Sequence, residues 1–300
     1  LRVLFFILII AIIPASINTF AQQTVQPPGL GEIVFVAVNA GNYDIYAMAP
    51  NGTNRRQLTD HEARDTDPIW SIGGEWIAFE SDRDGNSEIY VMSFDGSSTR
   101  NVSNSPQDDS DPAWSPDGSQ IVYVSGYSNL LDDGGGTALM IVNADGTNAR
   151  VILDNGAVNM SPVWSPDGSQ IVFTSDISGS LQLFIVQVDG SSVRRISRDE
   201  QVQHYTPSWS PDGTRIVYAA YVNGNLDIYT TNADGIEVVR VTDHPRDDFS
   251  PVWTFDGQRI MFSSDRERSL EIYTIRPDGT SVIRLTNNDA HDLQPNCRWG

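Results

Sequence analysis

The sequence predicts an all-β fold, a six-bladed β-propeller of four-stranded antiparallel blades, and three observations carry that prediction. The segment WSPDGSQIV occurs at residues 114–122 and again, letter for letter, at 164–172. Trp70, Trp114, Trp164, Trp209, Trp253 and Trp299 recur at spacings of 44, 50, 45, 44 and 46 residues, a period that marks propeller blades or solenoid units. Turn signals recur about every ten residues, while no stretch of the mature chain sustains an apolar period of about 3.6 residues over three turns.

One repeat shows how each element arises. A first strand ends at the tryptophan, as in PAWSPDGSQIVYVS, PVWSPDGSQIVFTS and PSWSPDGTRIVYAA. Ser210-Pro211-Asp212-Gly213 then makes a corner: Pro presets φ, Asp bonds its own backbone, and Gly takes a positive φ. The second and third strands, RIVYAA and LDIYTT, are β-branched and aromatic and flank the turn signal Asn223-Gly224. Ala233-Asp234-Gly235 forms the next corner, and VVRVT is the fourth strand. Such a unit cannot bury both faces alone, so neighbouring copies must cover one another, and radial packing does so with only short edges left. The repeated Trp, Pro, Asp and Gly therefore read as core and turn residues. Residues 295–299 offer a first strand, and roughly residues 32–59 offer the other three. The sixth blade is expected to be a composite of both termini.

Residues 1–21 read as a secretory signal peptide: Arg2 precedes an apolar run from Val3 to Ile13, and Thr19-Phe20-Ala21 offers a cleavage site. An uncleaved anchor is the alternative. Residues 22–31 form a short extended spacer, and residues 32–300 form the propeller.

The repeat text, DxDPxWSPDGxxIxFxSDxxGxxxIYxMxxDGxxxxxLT, resembles that of TolB-type β-propellers over about 270 residues and every blade. The resemblance is specific for fold and weak for function, because different sites are grafted on this scaffold. In the TolB family the corresponding loop face docks a peptidoglycan-associated lipoprotein, so the resemblance implies interaction at the cell envelope. That family also carries an α/β domain ahead of its propeller, where this sequence offers only the spacer, which puts a complete TolB role in doubt.

Composition fits export to the periplasm or the exterior. The single cysteine, Cys297, cannot form an internal disulfide and reads as buried. The net charge of −20 argues against nucleic acid or anionic lipid as partners and favours cations or basic proteins. After signal cleavage no membrane span is expected, and a monomer is.

The constant SPDG and NADG corners share one rim, and variable text such as TDHEARDTD, SNSPQDDSD and SRDEQVQHYT occupies the other, the expected working face. Counting three residues back from the proline of each first strand selects Asp65, Asp109, Asn159, His204, Asp248 and Asp292. In a closed ring these are expected to circle the channel mouth as a candidate binding ring. Asp109, Asp248 and Asp292 are the candidate ligands for a hard cation such as calcium. The competing reading is that Asp and Asn before a strand bond loop amides. Asp82-Arg83-Asp84-Gly85-Asn86 lacks the Gly and Glu placement of a calcium loop and reads as a turn. His61, His204, His244 and His291 fall in blade-to-blade loops at unequal offsets, which speaks against convergence on one metal. No Gly-x-Ser-x-Gly elbow is present, so a serine hydrolase is not expected.

Two function classes follow. One is a binding module that recruits an envelope protein or an extended, basic peptide through the acidic loop face. The other is a metal-dependent carbohydrate-active enzyme of lyase type, or a glycan binder, using the channel mouth. The first is preferred and no catalytic residue is assigned.

Overall fold

The computed structural model describes residues 31–126 and 135–297; the signal-peptide assignment, nearly all of the spacer and Trp299 lie outside these residues. The described residues form six four-stranded sheets. Blade 1 comprises Asp65–Trp70, Trp76–Ser81, Glu88–Ser93 and Thr99–Asn101. Blade 2 comprises Asp109–Trp114, Gln120–Ser125, Ala138–Asn143 and Arg150–Leu153. Blade 3 comprises Asn159–Trp164, Gln170–Ser175, Gln182–Gln187 and Arg194–Arg195. Blade 4 comprises Gln203–Trp209, Arg215–Val222, Asn225–Asn232 and Val239–Arg240. Blade 5 comprises Asp248–Trp253, Ile260–Ser264, Glu271–Ile275 and Ile283–Arg284. In the sixth sheet, His291–Cys297 pairs with Ile33–Asn39, which is followed by Asn42–Met48 and Arg56–Gln57.

The core lies between blades, because successive strand side chains point to opposite faces. In blade 2, Val122 and Val124 pack with Trp164, Ile171 and Phe173 of blade 3, whereas Ile121 and Tyr123 pack with Ala78, Ile89 and Val91 of blade 1. Each fully buried Val or Ile contributes roughly 1.5–3 kcal/mol, so every blade is held by both neighbours.

The corners form as their residues require. In blade 2, Ser115 Oγ donates to Asp117 Oδ1 at 2.7 Å, Ser119 N donates to the same oxygen at 3.0 Å, and Gly118 has φ of 71°. Ser165, Asp167 and Ser169 repeat these bonds in blade 3, and Ser210, Asp212 and Thr214 repeat them in blade 4. These bonds, from the serine hydroxyl first, hold the carboxyls of Asp117, Asp167 and Asp212 below their usual range.

The glycine of the second corner has a further task. A Cβ on Gly235 would lie 1.8 Å from Ile196 O of the preceding blade, and one on Gly52 would lie 2.1 Å from Leu285 O. This corner therefore abuts the neighbouring backbone, which only a residue without Cβ permits.

Candidate functional site

The first strand of each blade lines the axis, and each carries one irregularity. Register shifts fall between Thr66 and Ile69, Ser110 and Ala113, Met160 and Val163, Tyr205 and Ser208, and Phe249 and Val252. At each shift the residue before the proline takes a left-handed conformation: Asp67, Asp111, Ser161, Thr206 and Ser250, with Gln294 in the same position of the sixth blade, have φ between 44° and 53°. These bulges turn one extra side chain per blade toward the axis. The result is a central cavity of about 160 Å³ lined by those six residues, the prolines after them, and Ile69, Ala113, Val163, Ser208, Val252 and Asn296.

Two carboxylates dominate this ring. Asp67 accepts from Gln294 Nε2 at 2.6 Å, and Ser161 N donates to Asp111 Oδ2 at 2.7 Å. Burial, and then the charges of Asp111 and Glu80, push the Asp67 carboxyl well above its ordinary range. Burial likewise raises Asp111, against the bonds from Ser161. Glu80, opposite Thr66 on the second strand, is pushed up to about 7 by burial and by Asp111, while Ser87 Oγ donates to it at 2.9 Å. Such a ring attracts a cation more strongly as pH rises and these acids ionise.

The six residues expected at the channel mouth are absent from the lining of the central cavity. Asp65, Asp109, Asn159, His204, Asp248 and Asp292 are buried within the blades. The bulge accounts for the difference, since the residue it turns to the axis is the one before the proline, two positions further along.

Three of the four buried carboxylates in this set meet an arginine. Arg83 bonds Asp65 at 2.8 Å, Arg266 bonds Asp248 at 2.8 Å, and Arg55 bonds Asp292 at 2.9 Å. The three guanidiniums also lie over aromatic pairs, with Arg266 4.6 Å from the Tyr273 ring centre and Arg83 4.8 Å from that of Tyr90. Asn159, being neutral, needs no arginine: its Nδ2 donates to Thr137 O at 2.6 Å and to Ala157 O at 3.1 Å. Among the described residues no arginine pairs with Asp109, and burial pushes its pKa to about 6 against the hydroxyls of Ser125 and Ser103.

The calcium expectation does not fit these surroundings. Asp109, Asp248 and Asp292 stand on three blades, and two of them are occupied by arginine. Among the described residues no group of three or more His, Cys, Asp or Glu could hold a metal ion. Three histidines spend Nδ1 on loop amides: it accepts from Ala63 N for His61, from Arg246 N for His244 and from Leu270 N for His291. His204 is buried against Tyr218, with ring centres 5.4 Å apart.

Residues 24–132, 128–206 and 200–299 match the TolB beta propeller domain family, together spanning nearly all of the chain. The chain belongs to the TolB β-propeller family. A Tol-Pal system protein TolB from Desulfosudis oleivorans is 33% identical over 64 residues, a match covering 21% of this chain and 15% of that relative's length. Crystalline TolB from Acinetobacter baumannii superposes with a TM-score of 0.79 at 18% identity, over 90% of this chain and 67% of that one. An oligogalacturonate lyase in complex with manganese superposes with a TM-score of 0.63 at 19% identity, over 86% of this chain and 74% of that one. The two superpositions, at such identities, establish the fold that TolB and the lyase share with this chain.

The axial residues of this TolB-family ring carry a sequence signal after all. Each directly precedes the proline of its first strand, a position whose backbone proline restricts and that recurs once in every blade.

Proposed function

We propose that the protein is an extracytoplasmic binding module, periplasmic or secreted, that recruits an envelope protein by holding a basic, extended segment at the mouth of its central channel. The observation that carries this reading is the paired Asp67 and Asp111 on adjacent blades, in a cavity whose other polar lining is neutral. A lysine or arginine side chain fits such an opening in size and charge, and a protein of net charge −20 steers a basic partner toward it. The relative's designation as a Tol-Pal system protein supports an envelope setting.

Fluorescence anisotropy of a labelled lysine-alanine hexapeptide, titrated with the full chain at low salt and pH 8, tests the proposal. Saturable binding weakened at least tenfold in D67N/D111N supports it. Absence of saturable binding, or equal affinity in that variant, overturns it. A metal-dependent lyase reading is the less favoured alternative, since among the described residues the histidine and carboxylate positions do not converge.

A further inference from the structure

Five blades carry an aromatic pair at equivalent places on their second and third strands. These are Phe35 with Tyr46, Phe79 with Tyr90, Phe173 with Phe184, Tyr218 with Tyr229 and Phe262 with Tyr273, with ring centres 5.7 to 6.0 Å apart. In three of these five an arginine of the chain lies over the pair, 4.5 to 5.3 Å from the ring centres, and bonds the buried Asp of the first strand.

Blade 4 departs from this arrangement at two coupled positions. His204 pairs with Ala220 as Asp248 pairs with Ser264 and Asp65 with Ser81, so the imidazole stands where four blades place a carboxylate and blade 3 an asparagine. Two residues beyond those partners stand Arg266 and Arg83, and in blade 4 Val222. With both the acid and the guanidinium missing, the cleft between blades 3 and 4 holds a cavity of about 380 Å³. Tyr218, Tyr229, Leu183, Ile196, Val202 and Val222 line it, and Arg198, whose Nε donates to Gly235 O at 3.1 Å, and Asp199 complete its polar edge. His204 also lines it and is only 5% exposed; the backbone of Leu181 and Val202 bonds the imidazole, while its Nδ1 is buried with no hydrogen bond of good geometry.

We propose that this cleft is a second recognition site, which takes the guanidinium of an arginine side chain presented by a partner protein. The chain itself supplies the precedent, since three sister clefts hold a guanidinium against the same paired rings. Tyr218 and Tyr229 offer the faces for cation–π stacking, and the imidazole Nδ1 offers an acceptor. Burial lowers the His204 pKa, which keeps the imidazole neutral at pH 7 and so compatible with a cationic guest. A guanidinium suits the cleft better than an ammonium because it is planar and weakly hydrated and stacks on aromatic faces. This site shares no residue with the channel ring and stands independently of it.

The test uses the full chain at pH 8, titrated with Nα-acetyl-arginine methylamide and with its lysine counterpart, and follows the tyrosine ring resonances by NMR. The expected result is saturable binding of the arginine compound, at least fivefold tighter than the lysine compound. The variant H204D/V222R installs the sister blades' ion pair and should abolish that binding while melting at or above the wild-type temperature. Y229L, which removes one ring face, should weaken binding at least fivefold and decides the matter if the double variant does not fold. No saturable binding, equal binding of the lysine compound, or unchanged binding in a folded variant overturns the proposal. Those are the results expected if His204 and Val222 merely replace a buried ion pair with neutral packing.

Discussion

Two corner glycines, Gly118 of blade 2 and Gly235 of blade 4, illustrate how differently the same residue type is constrained. Gly118 has φ of 71° and open space where a Cβ would go, so Gly118→Ala should cost only the strain of a left-handed alanine, about 1 kcal/mol. Gly235 has φ of 73° and a neighbouring backbone oxygen 1.8 Å from the Cβ position, so Gly235→Ala should cost at least about 3 kcal/mol. Urea unfolding of both variants checks this, and equal losses would contradict the inter-blade role of the second corner. Turn chemistry announces both positive φ values in the sequence, but the contact with Ile196 O cannot be read there, because it depends on how one blade leans on the next. Glu80 is a second case. Its ordinary value of 4.5 is raised to about 7, so between those pH values the unfolded chain loses the proton while the folded chain keeps it. Stability from this group is full below pH 4.5 and is lost as pH rises through 7, a change on the order of 1–3 kcal/mol. Glu80→Gln should flatten that slope in thermal melts from pH 4.5 to 8, and an unaltered slope would remove Glu80 as its source.

In blade 5, the first and second strands work as a unit with the arginine that follows them. Arg266 neutralises Asp248 and covers Phe262 and Tyr273. Arg266→Met should therefore cost about 3 kcal/mol, since it strands a buried carboxylate. D248N/R266M should recover most of that loss, as Asn159 of blade 3 already demonstrates a neutral solution at this place. Denaturant melts of the two variants decide it, and equal destabilisation would show that stacking, not charge, is what Arg266 supplies. The pattern of strands and corners was legible in each repeat, since alternation and turn residues act locally. The direction of the residues before the prolines was not. A bulge shifts the register by one residue, and a one-residue shift exchanges the faces of a strand, so Asp65 and its equivalents go inward while Asp67 and its equivalents reach the axis.

At the scale of the molecule, His291–Cys297 joins Ile33–Asn39 along the register Ile33 to Cys297 and Val38 to His291. Deleting residues 291–300 leaves the buried Val34 and Val36 without their partner strand. The melting temperature should then fall on the order of 10 °C or more, because radial packing leaves each blade dependent on both neighbours. An unchanged cooperative transition in calorimetry would show that this strand adds little to the ring. Membership of the TolB β-propeller family, the number of blades and their four-stranded make-up were all written in the repeat itself. They could be, because blade period, turn chemistry and strand alternation are properties of short stretches of chain. The tertiary structure alone decided which acids face the channel, which are cancelled by arginine, and which clefts among the described residues are left without one. Those outcomes depend on bulges and on side chains brought together from distant strands, and no local pattern of residues specifies them.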